Sequence, residues 1–322
     1  MKMAHELESV EGKVCMAYSG EPGWHGLGTR VSNDLTPEEM MKAAGVDWKV
    51  RELKTYAEMK IQGKTTRIPT GMKALIRETD NKILTQVGSN WNPVQNADAF
   101  DFFAEFVTAG DMEMHTAGSL KGGKIVWALA KIDDNFELFG GDKVESYLLF
   151  SNPHMYGKTI DVKFTPIRVV CNNTLTFAIS QQAKNQVKWN HRKQFDAEQV
   201  KKVLNIAKNK MSDYKKTAEI LGAKVTTKDV MVKYFGELLG TSKKEGKDLS
   251  RNAERALELV STQPGADFAK DSMWSVYNAV TYLVDHELGR NVDNRMTSAW
   301  FGQNAGLKQR ALSKALEFAD VV

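Results

Sequence analysis

Near residue 183 the amino-acid sequence changes its period, and this change limits the fold more than any other feature. Before it, short β-branched and aromatic runs are broken by Gly, Asn and Pro; after it, apolar residues recur at helical spacing. Strand-like texture in one stretch and helical texture in the next predicts an α+β architecture with segregated elements. The expected division is an α+β domain over residues 1–183 and a mainly helical region over residues 184–322, a length suited to one large domain or two ordinary ones. No run approaches the about 18 consecutive apolar residues of a membrane span. The segment from Met1 to Cys15 is polar and acidic, unlike a signal peptide. Cys15 and Cys171 are too few for a disulfide framework or a cysteine-based zinc site. Secreted, membrane, collagenous and disordered classes are thereby excluded, which leaves the expectation of a cytoplasmic protein.

In the first part, Thr36-Pro37-Glu38-Glu39 has the order of an N-cap, a Pro at N1 and an acidic first turn, with Gly45 as the stop. Met72 to Arg77 and Ile83 to Val87 read as strands about an Asp80-Asn81 turn, and Ala97 to Val107 as an amphipathic helix. Lys124 to Ile132, Glu145 to Ser151 and Thr159 to Phe164 read as three strands, with Asn152 to Gly157 as turn material. Thr165-Pro166 then predicts a helix running to about Ser180. Three antiparallel strands with one packed helix can form an independent core, and this β-β-β-α unit is expected at the heart of the first domain.

In the second part Val200, Leu204, Ala207, Met211, Tyr214, Ala218 and Leu221 step by alternating fours and threes, a heptad seam on one expected helix. Further helices are expected near Asp229–Leu239, Leu249–Val260, Asp271–Glu287 and Thr297–Phe318, with a basic linker over residues 240–247. The net charge of the whole chain is only +4. Yet from Lys184 to Lys216 ten Lys and Arg face three acidic residues, a local surplus of +7. Concentration of charge in one segment suggests a polyanionic partner; a solvated helix face gives the same composition.

Catalytic signatures are absent. The six histidines are scattered, and no His-Glu-x-x-His or Cys-x-x-Cys occurs. Gly118 to Lys124 has the composition of a phosphate-binding loop but lacks the hydroxyl after the lysine, and reads as a β-turn. Asp98 and Asp101 read as a solvated first turn, and Asp133 and Asp134 as part of a turn. No metal and no cofactor are expected.

Three motifs carry a family resemblance. Trp24-His25-Gly26-Leu27-Gly28-Thr29 is followed by Ala44-Gly45-Val46-Asp47-Trp48; Arg168 to Leu175 contains Cys171, Asn172 and Asn173; and Trp274 to His286 contains Asn278, Thr281 and Asp285, with Ser298 to Gly302 beyond. In this order and spacing the chain resembles the phage/plasmid-like proteins that carry a conserved domain of unknown function, the nine-hundred-thirty-second, from about Gly23 to Lys308. The resemblance implies a mobile-element origin in a phage, prophage or plasmid, and it brings no catalytic residues. Read physically, Trp24, His25, Gly26 and Gly28 form either a fixed turn or a ligand-facing loop. On the expected helix Arg168 and Asn172 share a face, where they either bind phosphate or a base edge or tie the helix to a strand. Asp285 and His286 invite either a general-base reading or a helix-packing network with Asn278 and Thr281.

The expected layout of strands, helix and basic helical region resembles, at the level of fold, the core of phage single-strand annealing proteins. The leading expectation is therefore a non-catalytic protein that binds and anneals single-stranded nucleic acid, DNA foremost, as a ring or filament of copies in recombination or replication. Its candidate contacts are Arg168, Asn172, Lys184, Lys188, Trp189, Arg192, Lys193, Lys201 and Lys202, with Lys188 to Lys193 offering aromatics interleaved with cations. The alternative is a phage structural, assembly or anti-defence protein whose basic helix meets an acidic protein surface. An enzyme built on His25, His154 or Asp285 and His286 is a third reading.

Overall fold

The computed structural model describes residues 7–10, 12–20, 27–168, 173–174, 186–205, 210–242, 248–289 and 295–319. In chain order its elements begin with β1 (Ser9–Val10), β2 (Lys13–Val14), β3 (Met16–Tyr18), β4 (Thr29–Arg30), α1 (Pro37–Ala43), β5 (Val50–Ile61), β6 (Lys64–Arg77) and β7 (Ile83–Gly88). They continue with α2 (Asn96–Asp101), α3 (Ala104–Thr108), β8 (Met112–Leu120), β9 (Ile125–Leu138), β10 (Asp142–Pro153), β11 (Ile160–Arg168), β12 (Asn173–Thr174) and β13 (Gln186–Trp189). The remainder is helical: α4 (Ala197–Asn205), α5 (Lys210–Ala223), α6 (Lys228–Leu239), α7 (Arg251–Thr262), a 3-10 turn (Ala266–Ala269), α8 (Met273–Tyr282), a π-helical turn (Leu283–Glu287), α9 (Arg295–Phe301) and α10 (Gln303–Phe318).

The protein is thus a mixed α+β structure, and its packing divides it into two compact units. Residues 1–131, 148–163 and 186–204 form one, and residues 132–147, 164–185 and 205–322 the other. This partition does not follow the change of texture at residue 183. Strand length is the reason, because β9, β10 and β11 each contribute residues to both units.

In the first unit the main sheet runs β11-β10-β9-β8-β3-β4, and β13 pairs antiparallel with β11. Helix α1 opens with the reciprocal capping box that its sequence predicts: Thr36 Oγ1 accepts from the Glu39 N–H, and the Glu39 carboxylate accepts from the Thr36 N–H. The helix buries Met40 and Met41 against α2 and β8. Phe102 and Phe103 from the α2–α3 corner meet Phe150 of β10, with centroids 5.2 and 6.2 Å away. Just before β4, Gly28 has φ +104°, and a Cβ there would stand 3.0 Å from the Met16 carbonyl, so glycine is required.

A second sheet, β5-β6-β7, contains a long hairpin. Its two-residue turn, Gln62-Gly63, has positive φ at both positions (50° and 78°), the twist-compatible geometry that asks for glycine. Beyond Val50 on β5, and before Lys73 on β6, nearly every residue is exposed. At the base, Arg77 is buried and grips Glu8 (Nη1 to Oε1, 2.6 Å) and Asp80 (Nε to Oδ1 2.9 Å, Nη2 to Oδ2 2.6 Å), and its guanidinium lies 5.4 Å from the Trp48 ring centre. The bidentate guanidinium holds the Asp80 carboxyl down to about 2. Cys15 is a buried free thiol, pushed up by burial and by Glu8.

In the second unit, Leu138 and Val144 of the β9–β10 hairpin enter a core built by Tyr214, Leu221, Phe235, Trp274, Tyr277 and Leu312 from the helices. The Trp274 Nε1–H donates to the buried Asp142 carboxylate (3.3 Å), and the Tyr234 hydroxyl to the Ala311 carbonyl (2.8 Å). No helix among the described residues is long and apolar enough to cross a membrane.

Several local expectations are corrected. The helix expected from Thr165 is not one at its start: Thr165 to Arg168 continue strand β11, and Asn173-Thr174 pair back on it (Ile167↔Thr174, Arg168↔Asn173). Thr165-Pro166 ends nothing because Pro166 lies near the strand's end, where a missing N–H is tolerated. Asp133 and Asp134 lie in β9 rather than in a turn. The expected heptad helix is described at its two ends, α4 and α5, while residues 206–209 lie outside the described residues; of its seam, Val200 is buried in the first unit and Tyr214, Ala218 and Leu221 in the second. These four seam residues are buried within the chain itself. The helix expected from Ala97 to Val107 breaks between α2 and α3.

Candidate nucleic-acid interface

The basic run Lys188-Trp189-Asn190-His191-Arg192-Lys193 starts on β13, and the strand fixes where each side chain goes. Alternation along β13 sends Lys188 out to solvent and turns Trp189 partly inward. Trp189 meets Phe195 edge-on (6.1 Å), which in turn meets Phe150 of the core (5.7 Å). Lys188 lies opposite Asp161 on β11, but that carboxylate accepts from the Gln186 amide (2.6 Å) and sits 4.0 Å from Lys163.

After β13 the chain turns sharply. The Asn190 side chain accepts from the Arg192 N–H (2.9 Å), and its carbonyl accepts from the Lys193 N–H (3.0 Å). This is an Asx-stabilised turn, which asparagine favours because its side chain imitates the backbone. Its anchor is His191, which is buried. The ring stacks on Trp91 with centroids 3.9 Å apart at 18°, its Nδ1–H donates to the Asn92 carbonyl (3.1 Å), and the Asn92 N–H donates to the His191 carbonyl (2.7 Å). Arg192 and Lys193 are exposed on this turn, which is held by its backbone hydrogen bonds and by the buried His191. After them Asp196 caps α4 by accepting from the Gln199 N–H (2.9 Å).

Beneath the turn lies a second buried imidazole. His154 Nε2–H donates to Asn96 Oδ1 (2.8 Å), whose amide donates to the carbonyls of Val46 (2.9 Å) and Trp48 (3.3 Å). The Asn152 amide donates to the Val94 carbonyl (2.9 Å), and Trp48 leans on His154 at 5.4 Å. Burial and the nearby His191 hold His154 down to about 3; burial holds His191 down to about 4, against the Asn92 carbonyl that favours its protonation. Neither ring titrates near neutral pH, where a general base must. The sequence reads Asn152 to Gly157 as turn material, whereas Asn152 and Pro153 close strand β10. The structure makes Asn152 and His154 interior anchors, and Asn96 had no signal beyond its place before a helix.

The other candidate residues separate. Lys201 lies between Glu105 and Glu198 and is neutralised, whereas Lys202 is exposed. Arg168 and Asn173 are backbone partners across β11 and β12, so the expected shared helical face is not there. Asn172, Lys184, Trp24, His25 and Gly26 lie outside the described residues. Asn278 and Thr281 bond within their own helix, to the Trp274 carbonyl (2.8 Å) and the Asn278 carbonyl (2.9 Å). Asp285, in the π-helical turn, takes a buried ion pair from Lys308 (2.8 Å), while the His286 ring lies 4.4 Å from Tyr282. These geometries are those of helix packing. Among the described residues no group of three or more His, Cys, Asp or Glu could hold a metal ion.

The class that fold and site define is a mixed α+β protein whose first unit presents an anchored turn bearing exposed cations. The chain belongs to the family described as Domain of unknown function (DUF932), whose model matches residues 83–300. No curated protein and no solved structure matches it.

Proposed function

We propose that the protein binds and anneals single-stranded nucleic acid without catalysing covalent chemistry, as a DNA-handling protein of a phage or other mobile element, acting in the host cytoplasm. One observation carries the reading: Lys188, Arg192 and Lys193 are exposed around a turn fixed by His191 and Asn190, and no acidic partner is bonded to any of them among the described residues. Cations carried on an ordered turn lose less entropy on meeting phosphates, and Trp189 precedes the turn while Lys202 is exposed on α4. A likeness to the annealing-protein core no longer supports it, since the helix that likeness needs begins as strand. Assembly into rings or filaments of copies remains part of the proposal, without the heptad seam as its means.

The test is fluorescence anisotropy with a labelled single-stranded oligodeoxynucleotide across a salt series. Three phosphate contacts predict a slope of log affinity against log salt of about −2, since each released counterion on a single strand contributes about −0.7. The triple change Lys188→Ala, Arg192→Ala, Lys193→Ala should remove that slope. Wild-type protein that fails to bind at about 50 mM salt, where counterion release is strongest, refutes the reading.

A further inference from the structure

The β5–β6 hairpin holds a surface that the basic turn does not account for. Directly paired residues of an antiparallel ribbon point to the same side. Ala57 with Ile68, Met59 with Thr66 and Ile61 with Lys64 therefore share one face, and Tyr56 with Pro69, Glu58 with Arg67 and Lys60 with Thr65 share the other. The first face is an apolar stripe in solvent, with Met59, Ile61 and Ile68 49%, 44% and 40% exposed. A two-stranded ribbon is marginal in water by itself, and β5 is the end strand of its sheet.

Charge identifies the occupant. Six basic side chains on the hairpin, from Arg51 to Lys73, stand against Glu52 and Glu58 alone, a surplus equal to the +4 of the whole chain. Lys73 pairs with Glu52 and Arg67 with Glu58. Arg51, Lys54, Lys60 and Lys64 are left exposed with no acidic partner among the described residues. A second copy of the chain would bring the same positive surplus against itself; a polyanion complements it.

We infer that this hairpin is an arm that binds double-stranded DNA by lying in the major groove. That groove is about 12 Å wide and admits a two-stranded ribbon. At about 3.3 Å per residue the twelve residues of β5 reach about 40 Å, a little over one duplex turn of about 34 Å. Arg51, Lys54, Lys60 and Lys64 meet the phosphates along the groove walls, and Met59, Ile61 and Ile68 lie against thymine methyls and sugars. The inference rests on the proposed function only in taking nucleic acid as the partner; the ligand and the contacting element are different.

The experiment uses the full chain, a duplex of about 30 base pairs and a single strand of the same length, long enough for the roughly one-turn contact. Anisotropy is read across a salt series, with circular dichroism to match the folds. Arg51→Ala, Lys54→Ala, Lys60→Ala, Lys64→Ala should weaken duplex binding at least about thirtyfold and make its salt slope shallower by about 3.6, four phosphates at about 0.9 each. Single-strand binding should stay within about twofold, because the turn cations supply it. Met59→Thr, Ile61→Thr, Ile68→Thr should weaken duplex binding about fivefold or more with the slope unchanged, since only apolar contact is lost. Duplex binding that is undetectable, or unaltered by the charge variant, overturns the arm while leaving the single-strand reading intact. Duplex binding lost in the charge variant, with no single-strand binding by wild type, supports the arm and overturns the other reading. Sedimentation showing a dimer that the threonine variant dissociates, with duplex affinity unmoved, overturns DNA in favour of a second copy.

Discussion

Acid should loosen the first unit before its carboxylates are protonated, because two of its anchors are imidazoles held neutral by burial. His154 is held down to about 3 and His191 to about 4, whereas an unfolded histidine titrates near about 6.5. Folded pKa values below the unfolded one mean that the unfolded chain binds more protons between those limits. Stability is then full above about pH 6.5 and falls as pH drops toward the folded values. At about pH 5 the unfolded chain has taken a proton at each ring and the folded chain at neither. At about 1.4 kcal/mol per pH unit, each ring costs about 2 kcal/mol and the two about 4 kcal/mol. Asp80 does not confuse the measurement, because its carboxyl, held down to about 2 by Arg77, loses its contribution only below the ordinary carboxylate range. The assay is urea unfolding followed by tryptophan fluorescence, since Trp91 stacks on His191, at about pH 7, 6 and 5. His191→Phe keeps the stack and removes one titration. It should cost about 1 kcal/mol at about pH 7 for the lost bond to Asn92, yet halve the acid-induced loss to about 2 kcal/mol. A Phe variant that loses as much as wild type between about pH 7 and pH 5 would falsify the reasoning.

Other outcomes follow from single geometries. Gly222→Ala, ordinarily worth up to about 1 kcal/mol in a helix interior, should instead destabilise the second unit by about 1–3 kcal/mol, because its Cβ overlaps the Phe139 ring; thermal melting reads the sign, and adding Phe139→Ala should remove the clash. Asp285→Asn removes one charge of the buried Asp285–Lys308 pair and should cost about 3–5 kcal/mol. Replacing both, Asp285→Leu with Lys308→Leu, should cost much less than the sum of the single changes, and an additive double-mutant cycle refutes the pairing. Gly28→Ala should destabilise through both its positive φ and its approach to Met16, read as a lowered urea midpoint.

Legibility in the sequence followed burial. Thr36-Pro37-Glu38-Glu39 was readable because its capping chemistry is local, and Asp80-Asn81 because Asn81 accepts a positive φ of 57°. Strand β5 was not, since an arm exposed on both faces has no buried side to impose alternation: Leu53, Tyr56, Met59 and Ile61 stand among charges without a period that points inward. Thr165-Pro166 misled because Pro at a helix start and Pro near a strand end leave the same trace, and only the pairing with Asn173-Thr174 distinguishes them. Asn96, Asn152 and His154 come together from segments as much as 58 residues apart, a convergence that no spacing rule encodes.

The same convergence changes what the basic segment means. Read along the chain, Lys184 to Lys216 looks like one cationic surface. The fold takes it apart: Lys201 is neutralised by Glu105 and Glu198, His191 is buried, and Lys215 and Lys216 belong to the second unit while Lys188, Arg192 and Lys193 belong to the first. In the first unit Lys188, Arg192 and Lys193 stay unpaired on an anchored turn, with Lys202 exposed on α4. The hairpin, unremarkable in a charge count because its surplus is spread over more than twenty residues, gathers its unpaired cations on one exposed ribbon. Electrostatic attraction to a polyanion depends on unpaired charge per unit of surface rather than per unit of sequence. Under the proposed reading the turn and the hairpin are where phosphate should bind. Changing Lys215 and Lys216 to Ala should accordingly leave the salt slope of nucleic-acid binding unaltered, and a shallower slope in that variant would return the interface to the helices.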